Sequence, residues 1–284
     1  MKKRITILVS EYYRINQHVD DLTLKKALLK ENYYVDIINW DNKEYDFEKS
    51  DLVIIRSCWD YDQRVDEFLE TMQGISSKTK LINPLSTIIE NSSKLYLHDL
   101  SIKGIPIVQT EFLFSPNDIA SALDNISTEM VILKPTVSAS GRNTFRFSKD
   151  DPDLIMYSSR ILEESSAMLQ PYIDSIETSG EKSTVVINNE IVFTMNKIPA
   201  EGNFLVHTHH GGQYIPDKVD ASDMAFIQKI ISNLPDETAY VRIDYLHKEN
   251  NPLLLELEMI EPNLYLHKNP IGLSHLVNYI KQAL

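Results

Sequence analysis

Val241-Arg-Ile-Asp-Tyr-Leu246 and Leu253-Leu-Leu-Glu-Leu-Glu-Met-Ile-Glu-Pro262 are two apolar runs that carry carboxylates. Between them stands His247-Lys-Glu-Asn-Asn-Pro252, a turn signal. The pair reads as a β-hairpin. Glu256 and Glu258 are two residues apart, so they leave a strand on one side, and Asp244 can join them from the facing strand. Three anions side by side repel unless a cation sits among them. All-oxygen donors suit Mg²⁺ or Mn²⁺. The plainer alternative is a polar strand face in water.

Working towards the N-terminus, residues 5–9, 34–38, 51–55 and 80–83 are apolar runs, with helical spacing over 20–30 and 65–74. Strands alternating with helices predict a small parallel α/β sheet. This first domain is expected at 1–91. Ligands gather at the C-terminal ends of such strands. The third run ends in Arg56-Ser-Cys-Trp-Asp-Tyr-Asp-Gln-Arg64, read either as a substrate-contacting loop or as a capped turn before the next helix.

A helix over 93–103 is expected to stop at Gly104, with Pro106 beyond. Strands over 108–112 and 131–135, a helix after Ser115-Pro116 and another over 153–164 complete a middle lobe at 92–168. The last part, 169–284, starts around Met168-Leu-Gln-Pro-Tyr-Ile173. It continues with a hairpin (183–188 and 191–197) turning on Asn188-Asn189, residues that tolerate positive φ. A loop rich in His and Gly follows, then a helix at about 222–233, the acidic hairpin and a final helix from Ser274.

Composition narrows the partners. The 284 residues are 43% hydrophobic, enough for ordinary cores, and carry 41 acidic against 28 basic side chains, a net charge of −13. That balance argues against a nucleic-acid surface. The single cysteine, Cys58, cannot form an intrachain disulfide, which fits a cytoplasmic protein. No apolar run reaches the roughly 18 residues of a membrane span.

Neither a P-loop nor a Gly-x-Gly-x-x-Gly fingerprint occurs. Lys134, inside Val131-Ile-Leu-Lys-Pro135, is costly to bury unless it meets an anion. The loop after it, Thr136-Val-Ser-Ala-Ser-Gly-Arg142, can turn backbone N–H groups towards phosphate oxygens. Lys134, the loop and Arg142 read as a triphosphate cradle, or else as a snorkelling lysine and a mobile turn. His207, His209 and His210 before Gly211-Gly212 fit a lid loop better than a zinc site. Cys58 lacks a placeable base and is not read as a nucleophile.

Taken in order, Lys94, Lys134 with its loop, Gln170-Pro-Tyr-Ile173, Glu181, Asp244 and Glu256-x-Glu258 resemble the ATP-grasp superfamily over about 85–284. The α/β domain ahead of them also fits. Within the superfamily the chain resembles the glutathione synthetase-like group. It is nearer still to the cycloserine-forming cyclo-ligases (O-ureido-serine cyclo-ligases), through Gly180-Glu-Lys-Ser183, Lys197-Ile-Pro199, Gly202-Asn-Phe204 and Glu258-Met-Ile-Glu-Pro262.

The resemblance implies a mixed α/β and α+β fold: a parallel α/β domain followed by a two-lobed ATP clamp. It also implies an ATP-dependent ligase that makes an acyl phosphate and joins it to an amine-type nucleophile. Lys94, Lys134, Ser140 and Gly141 would meet ATP. Gln170, Tyr172 and Ile173 would form the adenine hinge, with Glu181 on the ribose. Asp244, Glu256 and Glu258 would hold Mg²⁺ or Mn²⁺. Arg242 and Lys197 would neutralise charge during transfer. Arg56, Trp59 and Asn203 are expected on the substrate, a small carboxylate with an amine-type partner. A homodimer stays open, as does an ATP-binding regulatory module without turnover.

Two departures stand out. Glu258 occupies the position where the family usually has asparagine, and Ser183 the position where glutathione synthetases carry arginine.

Overall fold

The structure is a computed structural model and describes residues 2–206 and 210–284. The N-terminal third forms a parallel sheet in the order β2-β1-β3-β4, built from β1 (Arg4–Val9), β2 (Tyr34–Asn39), β3 (Leu52–Ile55) and β4 (Lys80–Ile82). β3 is buried along its whole length, as a parallel strand covered on both faces must be. α1 (Glu11–Asn16), α2 (Val19–Lys30), α3 (Val65–Ser76) and α4 (Leu85–Asn91) accompany it.

α5 (Tyr96–Ile102) leads to the second sheet, β5-β8-β6-β7. Its strands β5 (Glu111–Leu113), β6 (Met130–Pro135), β7 (Phe145–Ser148) and β8 (Ala167–Pro171) pair antiparallel. α6 (Asp118–Asn125) and α7 (Pro152–Leu162) cover one face, where Ile119, Leu154 and Ile161 pack on Val131, Leu133 and Leu169. The alternation of β6 turns Ile132 and Lys134 the other way, into a cleft.

After α8 (Ser175–Ser179) comes the third sheet, β11-β10-β9-β12-β13. It comprises β9 (Glu181–Ile187), β10 (Glu190–Ile198), β11 (Gln213–Asp217), β12 (Tyr240–Lys248) and β13 (Asn251–Glu258), all antiparallel. α9 (Ala221–Ile231) packs Phe226, Ile227 and Ile230 on one face, against Val241, Ile243, Tyr245 and Leu257. α10 (Pro270–Ala283) joins a core that runs from Ile5 and Ile7 of the first sheet to Val185 and Met195 of the third. No helix among the described residues is long and apolar enough to cross a membrane.

The two predicted turns have the required backbone. Asn188 and Asn189 stand at φ 52° and 63°, Glu249 and Asn250 at 50° and 66°. Other expectations differ from the structure for local reasons. The run at 108–112 splits: Val108 N–H donates to Leu254 O at 3.0 Å, and only Glu111–Leu113 joins the second sheet. The final helix starts at Pro270 rather than Ser274, because Asn269 Oδ1 accepts the Gly272 N–H at 2.8 Å and proline suits the first helical position. The short strand Phe145–Ser148 and the edge strand Gln213–Asp217 were not expected.

Candidate active site

Register brings the acidic hairpin together. Asp244 lies opposite Glu256 and Arg242 opposite Glu258, while β9 places Ser183 opposite Asp244 and Lys197 of β10 stands opposite Glu181. All seven share the sheet face away from α9. The pairing shifts between Asp244 and Tyr245, leaving Leu255 as the bulged residue. Leu255 and Glu256 therefore both line the cleft.

The outer edge of β13 is clamped by side chains. Tyr96 OH accepts the Leu257 N–H at 2.7 Å and donates to its carbonyl at 2.9 Å. Asn91 donates to Leu257 O at 2.8 Å and accepts from Met259 N at 2.7 Å. An edge strand that would otherwise seek a partner is satisfied, and the carboxylates on either side of Leu257 are held in place.

The charges interlock. Arg242 grips Asp244 with two hydrogen bonds (Nε to Oδ1, 2.9 Å; Nη2 to Oδ2, 2.7 Å) and also contacts Glu258. Lys197 Nζ reaches Glu181 at 2.8 Å and Asp244 at 3.2 Å, and Ser183 Oγ donates to Asp244 at 2.5 Å. Burial pushes the Asp244 carboxyl up, but Arg242 and Lys197 more than offset it and hold it below the usual carboxylate range. Glu258 goes the other way. Burial, with Asp244 and Glu256 nearby, raises its carboxyl to about 7 despite Arg242.

Lys94 does not lie within a helix as its sequence position suggested. It precedes α5, its N–H bonded to Thr136 O, and its ammonium contacts Ser138 O at 2.8 Å and Glu256 at 3.0 Å. Lys134 stands across from it; burial lowers its ammonium to about 8, with Lys94 adding to the effect. These groups line one cleft of about 410 Å³ between the second and third sheets.

Ser140 and Gly141 reach the cleft at positive φ, 56° and 71°. Gln170, Tyr172 and Ile173 line its far end beside Val108, Leu246 and Leu255, an apolar slot. Gln170 is itself anchored, donating to Thr110 Oγ1 at 2.8 Å. Glu181, Lys197, Arg242, Asp244, Glu256, Glu258 and Trp59 complete the expected set in this cleft.

Three sequence expectations are displaced. Arg56 does not line the cleft: it is buried over the Tyr240 ring and donates to Pro262 O at 2.8 Å, so it supports the chain after β13. Asn203 also lies outside the cleft wall, since its Oδ1 accepts from Phe204 N and Leu205 N to close its own turn. Arg142 is also absent from the residues lining the cleft. It pairs with Asp62 and donates to Trp59 O at 3.1 Å, tying the small-residue loop to the first domain.

Of the histidine cluster, His207 and His209 lie outside the described residues. Tyr61 faces the cleft from the loop at 56–64; the sequence reading missed Tyr13, His18, Glu261, Tyr214 and Tyr265, which also face it. Of these only Glu261 had a local signal, a carboxylate closing an apolar run.

A divalent cation fits the donor set. Among the described residues, Glu256 and Glu258 each keep one carboxylate oxygen free of protein partners, while both oxygens of Asp244 are occupied by Arg242, Lys197 and Ser183. Two free carboxylate oxygens together with phosphate oxygens suit Mg²⁺, which keeps few protein ligands. Asp220, Asp223 and His247 also cluster, but Lys182 Nζ lies 2.8 Å from Asp223 and already supplies the positive charge.

Comparison with known proteins agrees with this geometry. Residues 100–262 match the family model described as prokaryotic glutathione synthetase, ATP-grasp domain. Residues 5–83 match the N-terminal domain of D-cycloserine synthetase DcsG. The cycloserine biosynthesis protein DcsG of Streptomyces lavendulae is 23% identical over 277 residues, covering 92% of this chain and 93% of that one. A glutathione synthetase of Prochlorococcus marinus is 24% identical over 158 residues, 53% of this chain and 50% of that one.

The crystal structure of D-cycloserine synthetase DcsG superposes with a TM-score of 0.87 at 19% identity, covering 99% of this chain and 100% of that one. With the match to more than half its length, the chain belongs to the prokaryotic glutathione synthetase ATP-grasp family and is an ATP-dependent carboxylate–amine ligase.

Proposed function

We propose that the substrate is a small amino-acid-like carboxylate, phosphorylated by ATP in this cleft and then joined to an amine-type group. The observation that carries the reading is the meeting of Lys94 and Lys134 with two half-free carboxylates, Glu256 and Glu258, beside an apolar slot.

The apolar slot at Ile173, Leu246 and Leu255 takes the adenine, with Gln170 and Tyr172 at its rim and Glu181 placed for the ribose. Lys94, Lys134 and the backbone at Ser140 and Gly141 meet the phosphates. Mg²⁺ or Mn²⁺, held by Glu256 and Glu258 with Asp244 behind them, would screen the phosphate charge. A substrate carboxylate oxygen attacks the γ-phosphorus and ADP leaves. The amine then attacks the acyl carbon, phosphate leaves with the C–O electron pair, and the amine gives up a proton. A carboxylate alone has no leaving group, so the first step makes the second feasible.

Arg242 and Lys197, both buried and anchored on Asp244, supply fixed positive charge where anionic oxygen develops. Trp59 contributes an aromatic wall on the substrate side. Cys58 is buried and free, in keeping with a cytoplasmic site of action.

The test is an ADP-release screen against amino acids, small peptides and O-ureido-serine, the substrate that the resemblance implies. Mass spectrometry then follows the product. ADP formed together with a new C–N bond is the expected result. ADP release with unchanged substrate, or none with any carboxylate, would overturn the reading.

A further inference from the structure

Glu261 is the odd carboxylate of the cleft. It faces the cavity and is 7% exposed. Asp244, Glu181, Glu256, Glu258 and Asp62 each have a lysine or arginine partner. Among the described residues Glu261 forms no such ion pair, and the acidic side chains of Glu258, Glu256 and Asp62 act on it. Burial first, then those anions, push its carboxyl well above the usual range. A buried carboxylate without a cation is destabilising, as any lone buried ion is. Such a position is suited to a cation that arrives with a ligand.

The surroundings select the kind of cation. Trp59 Nε1 donates to the Glu261 carbonyl at 2.8 Å, so the indole and this residue are joined. The Trp59 ring meets Tyr13 and His18 edge to face, each with centroids 4.8 Å away, and Tyr13 and His18 lie 5.6 Å apart. All three rings line the same cleft. Burial, with Arg56 and His267 adding and Asp20 opposing, lowers the His18 imidazole, which makes it a poor source of the missing charge. Mg²⁺ favours several carboxylate, phosphate and water oxygens, whereas an organic ammonium gains from aromatic faces such as these. Arg56, donating to Pro262 O, and Trp59 together fix the Glu261-Pro262 backbone.

We propose that Glu261, Trp59, Tyr13 and His18 form a subsite for the primary ammonium group of an α-amino-acid substrate. The inference rests on the ligase reading and deepens it. Glu261 orients the substrate through its ammonium, so that the carboxylate end lies towards Glu256 and Glu258. It acts as a specificity residue, and no bond to it forms or breaks.

The test uses the full chain with a non-hydrolysable ATP analogue and Mg²⁺, labelled with ¹⁵N at tryptophan. Only two indole signals arise, from Trp40 and Trp59, and a Trp59→Phe variant assigns them. Titration with D-serine and L-serine is compared with 3-hydroxypropanoate, which lacks the amine. The expected result is a saturable shift of the Trp59 signal with at least one serine, with 3-hydroxypropanoate at least tenfold weaker. Glu261→Gln should erase that preference and still melt at or above the wild type at pH 8.

No preference in the wild type, or an intact preference in Glu261→Gln, would overturn the proposal. So would a tenfold loss of Mg²⁺–nucleotide binding in Glu261→Gln, which would assign Glu261 to the metal ligands. ADP release by the wild type is read separately. Its absence counts against the ligase reading, while the indole titration alone decides the ammonium subsite.

Discussion

Lys134 is buried in the cleft wall with another lysine beside it, and burial brings its ammonium down to about 8. A group so placed is tolerated because the ligand that arrives is anionic. Lys134→Ala is expected to abolish ADP release while leaving the thermal midpoint unchanged or higher. Glu256→Gln should also abolish ADP release, since it removes the open carboxylate oxygen and the partner of Lys94. Full turnover in either variant would dismiss the phosphate end of the site.

Asp21 makes a second residue-scale prediction. Burial, opposed by Arg56 and by Ser57, raises its carboxyl from 3.8 to about 6. The folded chain therefore holds the proton over a range where the unfolded chain has lost it. The stabilisation is full below about pH 4 and disappears as pH rises through 6. Asp21→Asn should melt higher than the wild type at pH 8, by at most about 3 kcal/mol of stability, and equally at pH 4. Melting curves across pH 4–8 check it; a gap that widens towards acid would refute it.

At the scale of elements, the hairpin of β9 and β10 carries Glu181 and Lys197 and begins at Gly180. Its φ is +78°, and an added Cβ would lie 2.6 Å from Asn196 Oδ1 and from Lys197 O. Gly180→Ala should cost about 1–3 kcal/mol and weaken nucleotide binding together, because both charged side chains move with the backbone. Urea unfolding and nucleotide titration measure the two losses. Unchanged nucleotide affinity would show that the hairpin does not position the site.

This scale was also the most legible in the sequence. Period-two alternation marked the carboxylates of β13, and Asn188-Asn189 marked the turn. The short strands Phe145–Ser148 and Gln213–Asp217 were missed, because such brief runs become strands only through the partners they find.

Across the whole molecule, Asn83 staples the first sheet to the third. Its Nδ2 donates to Tyr240 O at 2.9 Å and Met259 O at 2.7 Å, and its Oδ1 accepts the Ala239 N–H at 2.7 Å. Asn83→Ala leaves those buried groups unpaired and should lower stability by at least about 3 kcal/mol. Calorimetry reads the result; an unshifted transition would refute the staple.

Local pattern alone identified most of the strands and helices, the acidic hairpin and the buried lysine, since alternation and turn chemistry are carried by neighbouring residues. Their assembly into an ATP clamp rested on family resemblance. Where Arg56 and Arg142 point depends on distant partners, Pro262 and Asp62, while Asn203 turns onto its own neighbours at 204 and 205. That Glu261 forms no ion pair among the described residues is likewise a property of the packed cleft. A charge is unpaired only with respect to everything folded around it, and no stretch of chain contains that information.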